Sequence, residues 1–157
     1  MFNTIIWATD GSEAAERALP YAKALAASNQ AALVVVHSKE VFAGRAAGYP
    51  VLADEEELVT KIHGQVDQAR AEGLDATFKL VRGAAPGAAH MIADVAREVD
   101  ADVIVVGTRG HAPVAGLLLG SVTQRLLHIA PCPVLAVPSE KQMGARDPER
   151  ETAAAAR

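Results

Sequence analysis

Gly107-Thr-Arg-Gly110 is followed, after nine residues, by Gly120-Ser121, and this spacing of residue types is the one best suited to chemistry. It starts where the apolar run Val103-Ile-Val-Val106 ends, and it finishes where a helix-like apolar segment begins at Val122. A buried strand would therefore run into a glycine-punctuated loop, and the loop into a helix N-terminus. Glycine lets backbone approach an anion closely and adopt positive φ. Free N–H groups and the dipole at a helix start favour negative charge. The chemistry suggested is the holding of phosphate. Ser121 either bonds that phosphate or caps the helix, since both roles use the same geometry. Arg109, the strong cation of the loop, either pairs with phosphate or is an exposed solubilising residue.

The elements that must position this loop read as alternating strands and helices. Phe2 to Ala8 is apolar and β-prone. Asp10-Gly11-Ser12 is turn and cap chemistry, with Glu13 and Glu16 suited to a first helical turn. Ala14, Ala18, Tyr21, Ala22 and Leu25 form a helical stripe interrupted by Pro20, which predicts a kink, since the periodicity continues beyond it. Ala32 to His37 reads as a second strand and residues 39 to 53 as a long surface loop. Asp54 opens a second helix that Gly73 closes. Asp75 to Val81 reads as a third strand, Arg82 to Pro86 as a loop and Pro86 to Val99 as a third helix. Asp102 to Val106, Ser121 to Ile129 and Pro133 to Val137 complete a β-α-β-α-β-α-β-α-β order. Strands apolar on both faces, alternating with helices, predict a parallel sheet covered on both sides with right-handed crossovers. One domain is expected over residues 1–138, followed by a mobile tail over 139–157.

Ligands of such sheets bind at the carboxyl ends of the strands, near the switch point. The loops leaving that edge carry Thr9-Asp10-Gly11-Ser12, Ser38, Arg82-Gly83 and the Gly107 loop. Asp10 can hydrogen-bond a ribose hydroxyl or hold a metal through water. Its alternative role is to cap the first helix, and the Asp10-x-x-Glu13 spacing resembles a capping box. Ala8 and Ser38 would contribute mainly backbone groups to a base.

Composition excludes several classes. The chain has 157 residues, half of them apolar, with a formal net charge of −4 and 4% aromatics. There is neither a basic stripe nor a set of stacking aromatics, so no nucleic acid is expected as partner. No apolar stretch approaches the ~18 residues needed to span a membrane. The N-terminal residues lack the pattern of a signal peptide. Cys132, the single cysteine, permits no intramolecular disulfide and reads as a small packing residue. A cytoplasmic protein is expected. His37, His63, His90, His111 and His128 show no metal-ligand spacing. No G-x-x-x-x-G-K-[ST] is present, so no lysine reaches phosphate in the P-loop manner. No G-x-G-x-x-G follows the first strand, so the dinucleotide reading fails.

With these motifs in register over nearly all of residues 2–138, the chain resembles the universal stress protein family. The G-x2-G-x9-G-[ST] signature is that family's ATP-binding motif, matched by Gly107, Gly110, Gly120 and Ser121. Asp10 after the first strand, His37-Ser38 ending the second, the Gly83-to-Pro86 segment and the terminal Pro133-to-Val137 run add to the likeness. The resemblance implies a Rossmann-like α/β fold with an open five-stranded parallel sheet of order 3-2-1-4-5. It implies adenine and ribose contacts at Ala8, Thr9, Asp10 and Ser38. Phosphate contacts would come from Gly107, Arg109, Gly110, Gly120, Ser121 and Val122, largely through backbone. The cofactor expected is ATP, with Mg2+ reached by Asp10 through water. A homodimer through antiparallel pairing of the Pro133–Val137 strands is also implied, and an edge strand is a ready template for it. One departure is Gly83-Ala-Ala-Pro86, a residue longer than the family's Gly-x-Pro, which weakens the case for ligand contact at Gly83. The leading expectation is a nucleotide-binding stress-response module. Its rivals are a slow ATPase or autophosphorylating enzyme using Asp10, and a dimeric interaction protein that needs no nucleotide.

Overall fold

Runs of β-branched and aliphatic residues at Thr4–Ala8, Ala32–Val36 and Val103–Val106 favour extended backbone and leave no polar face to turn toward water. In the computed structural model these runs lie side by side. The structure describes residues 1–41, 51–84, 87–108 and 119–139. The elements are β1 (Thr4–Ala8), α1 (Glu13–Asn29), β2 (Ala32–Val41), α2 (Val51–Ala71), β3 (Ala76–Ala84), α3 (Ala88–Glu98), β4 (Val103–Gly107), α4 (Ser121–Ile129) and β5 (Val134–Val137). All neighbouring strands are parallel, and the sheet order is β3-β2-β1-β4-β5, as the family resemblance implies.

Strand alternation divides the core in two. Ile5, Trp7, Leu33, Val35, Val103 and Val105 face the alanines of α1 and the Ile62–Val66–Ala69 stripe of α2. Ile6, Ala8, Val34, Val36, Ile104 and Val106 face Ile92, Ala93 and Ala96 of α3 and Leu126 of α4. Alanine at 14, 15, 18, 22 and 26 lets α1 lie close to the sheet. Trp7, fully buried, donates its indole N–H to the Ala15 carbonyl at 2.9 Å. Pro20 does not split α1, which continues to Asn29 with Pro20 exposed. Cys132 packs beside the α3–α4 core, and burial pushes its thiol above the ordinary value, as suits a packing residue. No described helix is long and apolar enough to cross a membrane.

The main corrections to the expected boundaries lie in β2 and β3. The expected ends, His37 and Val81, are passed by several residues, and Arg82 and Gly83 belong to a strand rather than a loop. Beyond the end of β1, the two strands continue as a ribbon through Ser38↔Val81, Lys39↔Arg82, Glu40↔Gly83 and Val41↔Ala84. Polar side chains there suggest a loop, but each strand satisfies the other's backbone. The expected 39–53 loop thus shrinks, since α2 already begins at Val51. The loop's remainder (42–50), Pro86 and the expected tail from 140 onward lie outside the described residues.

Gly107 decides how closely β4 approaches α1. A Cβ there would lie 2.5 Å from the carbonyl carbon of Ala14 and 2.6 Å from the amide nitrogen of Ala15. Both are backbone atoms and cannot rotate away. The reason for glycine at 107 is therefore steric. Positive φ is found instead at Gly11 (77°), in the turn between β1 and α1. At the opposite end of the sheet, Asp102 Oδ2 accepts the backbone N–H groups of Thr4 at 2.9 Å and Asn3 at 2.6 Å. These bonds hold its carboxyl below the ordinary value.

Two expectations follow for stability. Gly107→Ala should lower the unfolding free energy in urea by about 2 kcal/mol, because the methyl group overpacks against α1 backbone. Asp102→Asn should lower Tm at neutral pH, and the gap to wild type should narrow as the pH falls below the ordinary carboxylate range. A carboxyl with a depressed value stabilises above its unfolded titration and loses that contribution as pH falls through its folded one. A pH series of thermal melts on both proteins measures this.

Candidate functional site

The neighbours β1 and β4 send their following segments in opposite directions along the sheet, α1 to one face and α4 to the other. A crevice of about 370 Å³ opens where they part, at the strands' carboxyl ends.

The β1–α1 loop forms one wall. Thr9 is buried and its N–H bonds the Val36 carbonyl at 2.9 Å, continuing the sheet. Its Oγ1 accepts the Gly11 N–H, and Asp10 Oδ1 accepts the Ser12 N–H at 3.0 Å. Ser12 is the N-cap of α1, its side chain accepting from the Ala15 N–H. The choice left open for Asp10 is thereby settled as far as the helix goes. Ser12 caps α1, and Asp10 sits two residues earlier, lining the crevice.

The β4–α4 segment forms the facing wall. Gly120 donates its N–H to the Thr108 carbonyl at 2.6 Å, drawing together the ends of the intervening loop. Thr123, buried in the first turn of α4, donates its hydroxyl to the Gly107 carbonyl at 2.7 Å. The N-cap of α4 is Gly120, with no side-chain cap, and Ser121 is the first helical residue. Ser121 is therefore not the cap. The N–H groups of Ser121, Val122 and Thr123 have no intrahelical acceptor.

A second helix N-terminus reaches the same crevice and is treated differently. The N-cap of α3 is Gly87, also without a side chain to offer. Glu40, carried on the ribbon of β2, accepts the N–H groups of Gly87 at 2.6 Å and Ala88 at 2.8 Å through Oε1. The positive end of α3 is thus filled from within the protein, while among the described residues the N-cap of α4, Gly120, has no side chain to offer.

Of the residues expected to form a site, Ala8, Thr9, Asp10, Ser38, Gly107, Gly120, Ser121 and Val122 all line the crevice. Gly83 does not; it lies in β3, paired with Glu40. Arg109, Gly110 and His111 lie outside the described residues. Glu40, Ala88, Ile92, Val106 and Thr123 also line the crevice and were not expected there. The contribution of Glu40, Ala88 and Ile92 depends on the β2 ribbon and on the docking of α3, neither of which a local motif encodes. Ala8, Ala88, Ile92, Val106 and Val122 make an apolar surface suited to a flat ring. Asp10, Ser38 and Ser121 offer polar groups around it. Beyond Ser121 and Val122 a second groove continues between α3 and α4, lined by His90, Gln124, Arg125 and His128.

His37, the last expected residue of the second strand, was read as one of several scattered histidines. It is buried, with Nδ1 2.9 Å from the Thr9 carbonyl and Nε2 3.0 Å from Glu55 Oε1 of α2. The β1–α1 loop is therefore tied to α2 through this ring.

Residues 1–138 match the model of the universal stress protein family. A universal stress protein of Thermus aquaticus is 39% identical over 142 residues, covering 87% of this chain and 99% of that protein. A universal stress protein solved in complex with cAMP is 30% identical with a TM-score of 0.66, over 87% of this chain and 97% of that one. A universal stress protein from Archaeoglobus fulgidus, solved in complex with dAMP, is 28% identical with a TM-score of 0.64, over 87% and 98%. Sheet order, signature spacing and these likenesses agree: the chain belongs to the universal stress protein family.

Proposed function

We propose that this protein binds ATP in the crevice between β1 and β4 and acts as a nucleotide-dependent module of a cytoplasmic stress response. The observation that carries the reading is the contrast between the two helix N-termini. Glu40 occupies that of α3, whereas α4 follows Gly120, which has no side chain to cap it, beside Gly107. An anion entering the crevice gains most at α4. The triphosphate would lie along Gly120, Ser121 and Val122, with Arg109 and Gly110 completing the loop. The adenine ring would lie against Ala8, Ala88, Ile92 and Val106. Asp10 and Ser38 would meet the ribose. Related proteins solved with cAMP and dAMP support an adenine nucleotide as the ligand class. Mg2+ usually binds through one or two carboxylates plus substrate phosphates. Asp10 would hold Mg2+ through water, and the ion would neutralise phosphate charge at the crevice mouth.

The same reading includes a homodimer. β5 is an edge strand beside β4, and Leu135 on it is 37% exposed. Exposed edges favour pairing with a second copy.

Isothermal titration should give binding of ATP tighter than ADP, and ADP tighter than AMP, because only the longer phosphate chains reach across the start of α4. Asp10→Ala should weaken ATP about tenfold, the effect of losing a hydrogen bond from a charged group. Absence of binding for all three nucleotides by wild type would overturn the assignment. Analytical ultracentrifugation should find a wild-type dimer and a Leu135→Lys monomer; a monomeric wild type overturns the edge-strand dimer.

A further inference from the structure

We infer that His37 and Glu55 share one bound proton, and that this proton fastens the β1–α1 loop in its site-forming position. The inference follows from counting donors. The Thr9 carbonyl can only accept, so Nδ1 of His37 must carry a hydrogen to make the 2.9 Å contact. An ionised Glu55 can also only accept, so the 3.0 Å contact with Nε2 needs a second hydrogen. A neutral imidazole has one. The two contacts coexist only when the pair holds an additional proton, on the ring or on the carboxyl. Without it, a nitrogen lone pair faces a carboxylate oxygen at a place with little water, since the two side chains are 5% and 18% exposed.

The groups around the pair come from four elements. Glu55 faces the ring from α2, while Glu56 and Glu57 are exposed. By strand alternation, Lys39 of β2 lies on the same sheet face two residues on, with Arg82 of β3 as its register partner; Leu80 is the partner of His37 itself. Asp10 lies in the loop that the ring holds, one residue beyond Thr9. The cations disfavour the extra proton, and the carboxylates favour it.

What the proton controls is the loop. Thr9 is held on one side by the Val36 carbonyl and on the other by His37. Three residues after Glu55, Leu58 lies where a side chain on Gly11 would stand, so α2 and the loop are in close register. Release of the proton breaks the contact of His37 with Glu55, so that α2 no longer braces the ring that holds Thr9, the residue before Asp10. His37 is a positioning residue that acts through Thr9. Its effect on affinity rests on the nucleotide-binding reading, but the proton itself does not.

The test compares wild type with Glu55→Gln, whose amide can donate to a neutral Nε2 and so needs no extra proton. Nitrogen-15 spectra of ligand-free protein at about pH 7 should show both His37 nitrogens protonated in wild type, or a neutral ring hydrogen-bonded to a protonated Glu55 carboxyl. In Glu55→Gln only Nδ1 should be protonated. Over the pH range in which the pair releases its proton, the Gly11 and Ser12 amide signals should shift in wild type and stay fixed in the variant. ADP affinity of wild type relative to the variant should fall about tenfold over that range; taking the ratio removes the ligand's own phosphate titration. An unprotonated Nε2 beside an ionised Glu55 in wild type overturns the shared proton. Affinities of the two proteins that run parallel at every pH overturn the positioning role. If neither protein binds nucleotide, the functional reading fails while the spectra still decide the proton.

Discussion

The contact of Gly107 with the first turn of α1 sets the spacing on which the rest of this structure depends. β4 ends against the backbone of Ala14 and Ala15 with no room for a side chain. That approach brings the ends of β1 and β4 together on one side of the sheet while their helices part to opposite faces. The crevice is what remains between them. Thr123 then holds α4 to the Gly107 carbonyl, so one residue fixes both walls. A glycine chosen for steric reasons in this way also bares the strand end beside the helix N-terminus, where an anion is best stabilised.

Electrostatics refine what the packing allows. Two helices present their positive ends to the crevice, and the protein fills one with its own carboxylate. Glu40 reaches α3 only because β2 runs past the end of β1 and pairs with β3 alone. The ribbon therefore shapes the crevice's electrostatics: Glu40 fills the positive end of α3, and Ala88 and Ile92 present an apolar surface beside it. The His37–Glu55 pair acts on the remaining wall. Burial of both side chains makes their hydrogen count matter, because water is not there to supply a missing donor.

Much of this was legible in the chain. Apolar residues on both faces of Thr4–Ala8 and Val103–Val106 announce parallel strands. The glycine spacing from Gly107 to Ser121 marks the loop that joins one of them to α4. Ala8, Thr9, Asp10 and Ser38 were identifiable because strand ends in such a sheet converge. The misreadings share a cause. Lys39, Glu40, Arg82 and Gly83 have the composition of a loop, yet they are strand, because a partner strand satisfied their backbone. Gly83 accordingly lies in a ladder and not in the crevice.

The sequence by itself determined the fold class and the place of the glycine spacing after the fourth strand, because periodicity and turn chemistry are local and survive without knowledge of neighbours. The sheet order came through the resemblance those motifs carry. Only the tertiary structure decided the roles at the site. It made Ser12 rather than Asp10 the cap of α1, gave Gly120 the cap position of α4, and brought Glu40 to α3. It also placed His37 between Thr9 and Glu55. Each of these depends on which atoms lie within about 3 Å across elements far apart in the chain, and hydrogen bonds fall off too steeply with distance and angle for spacing along the sequence to predict them.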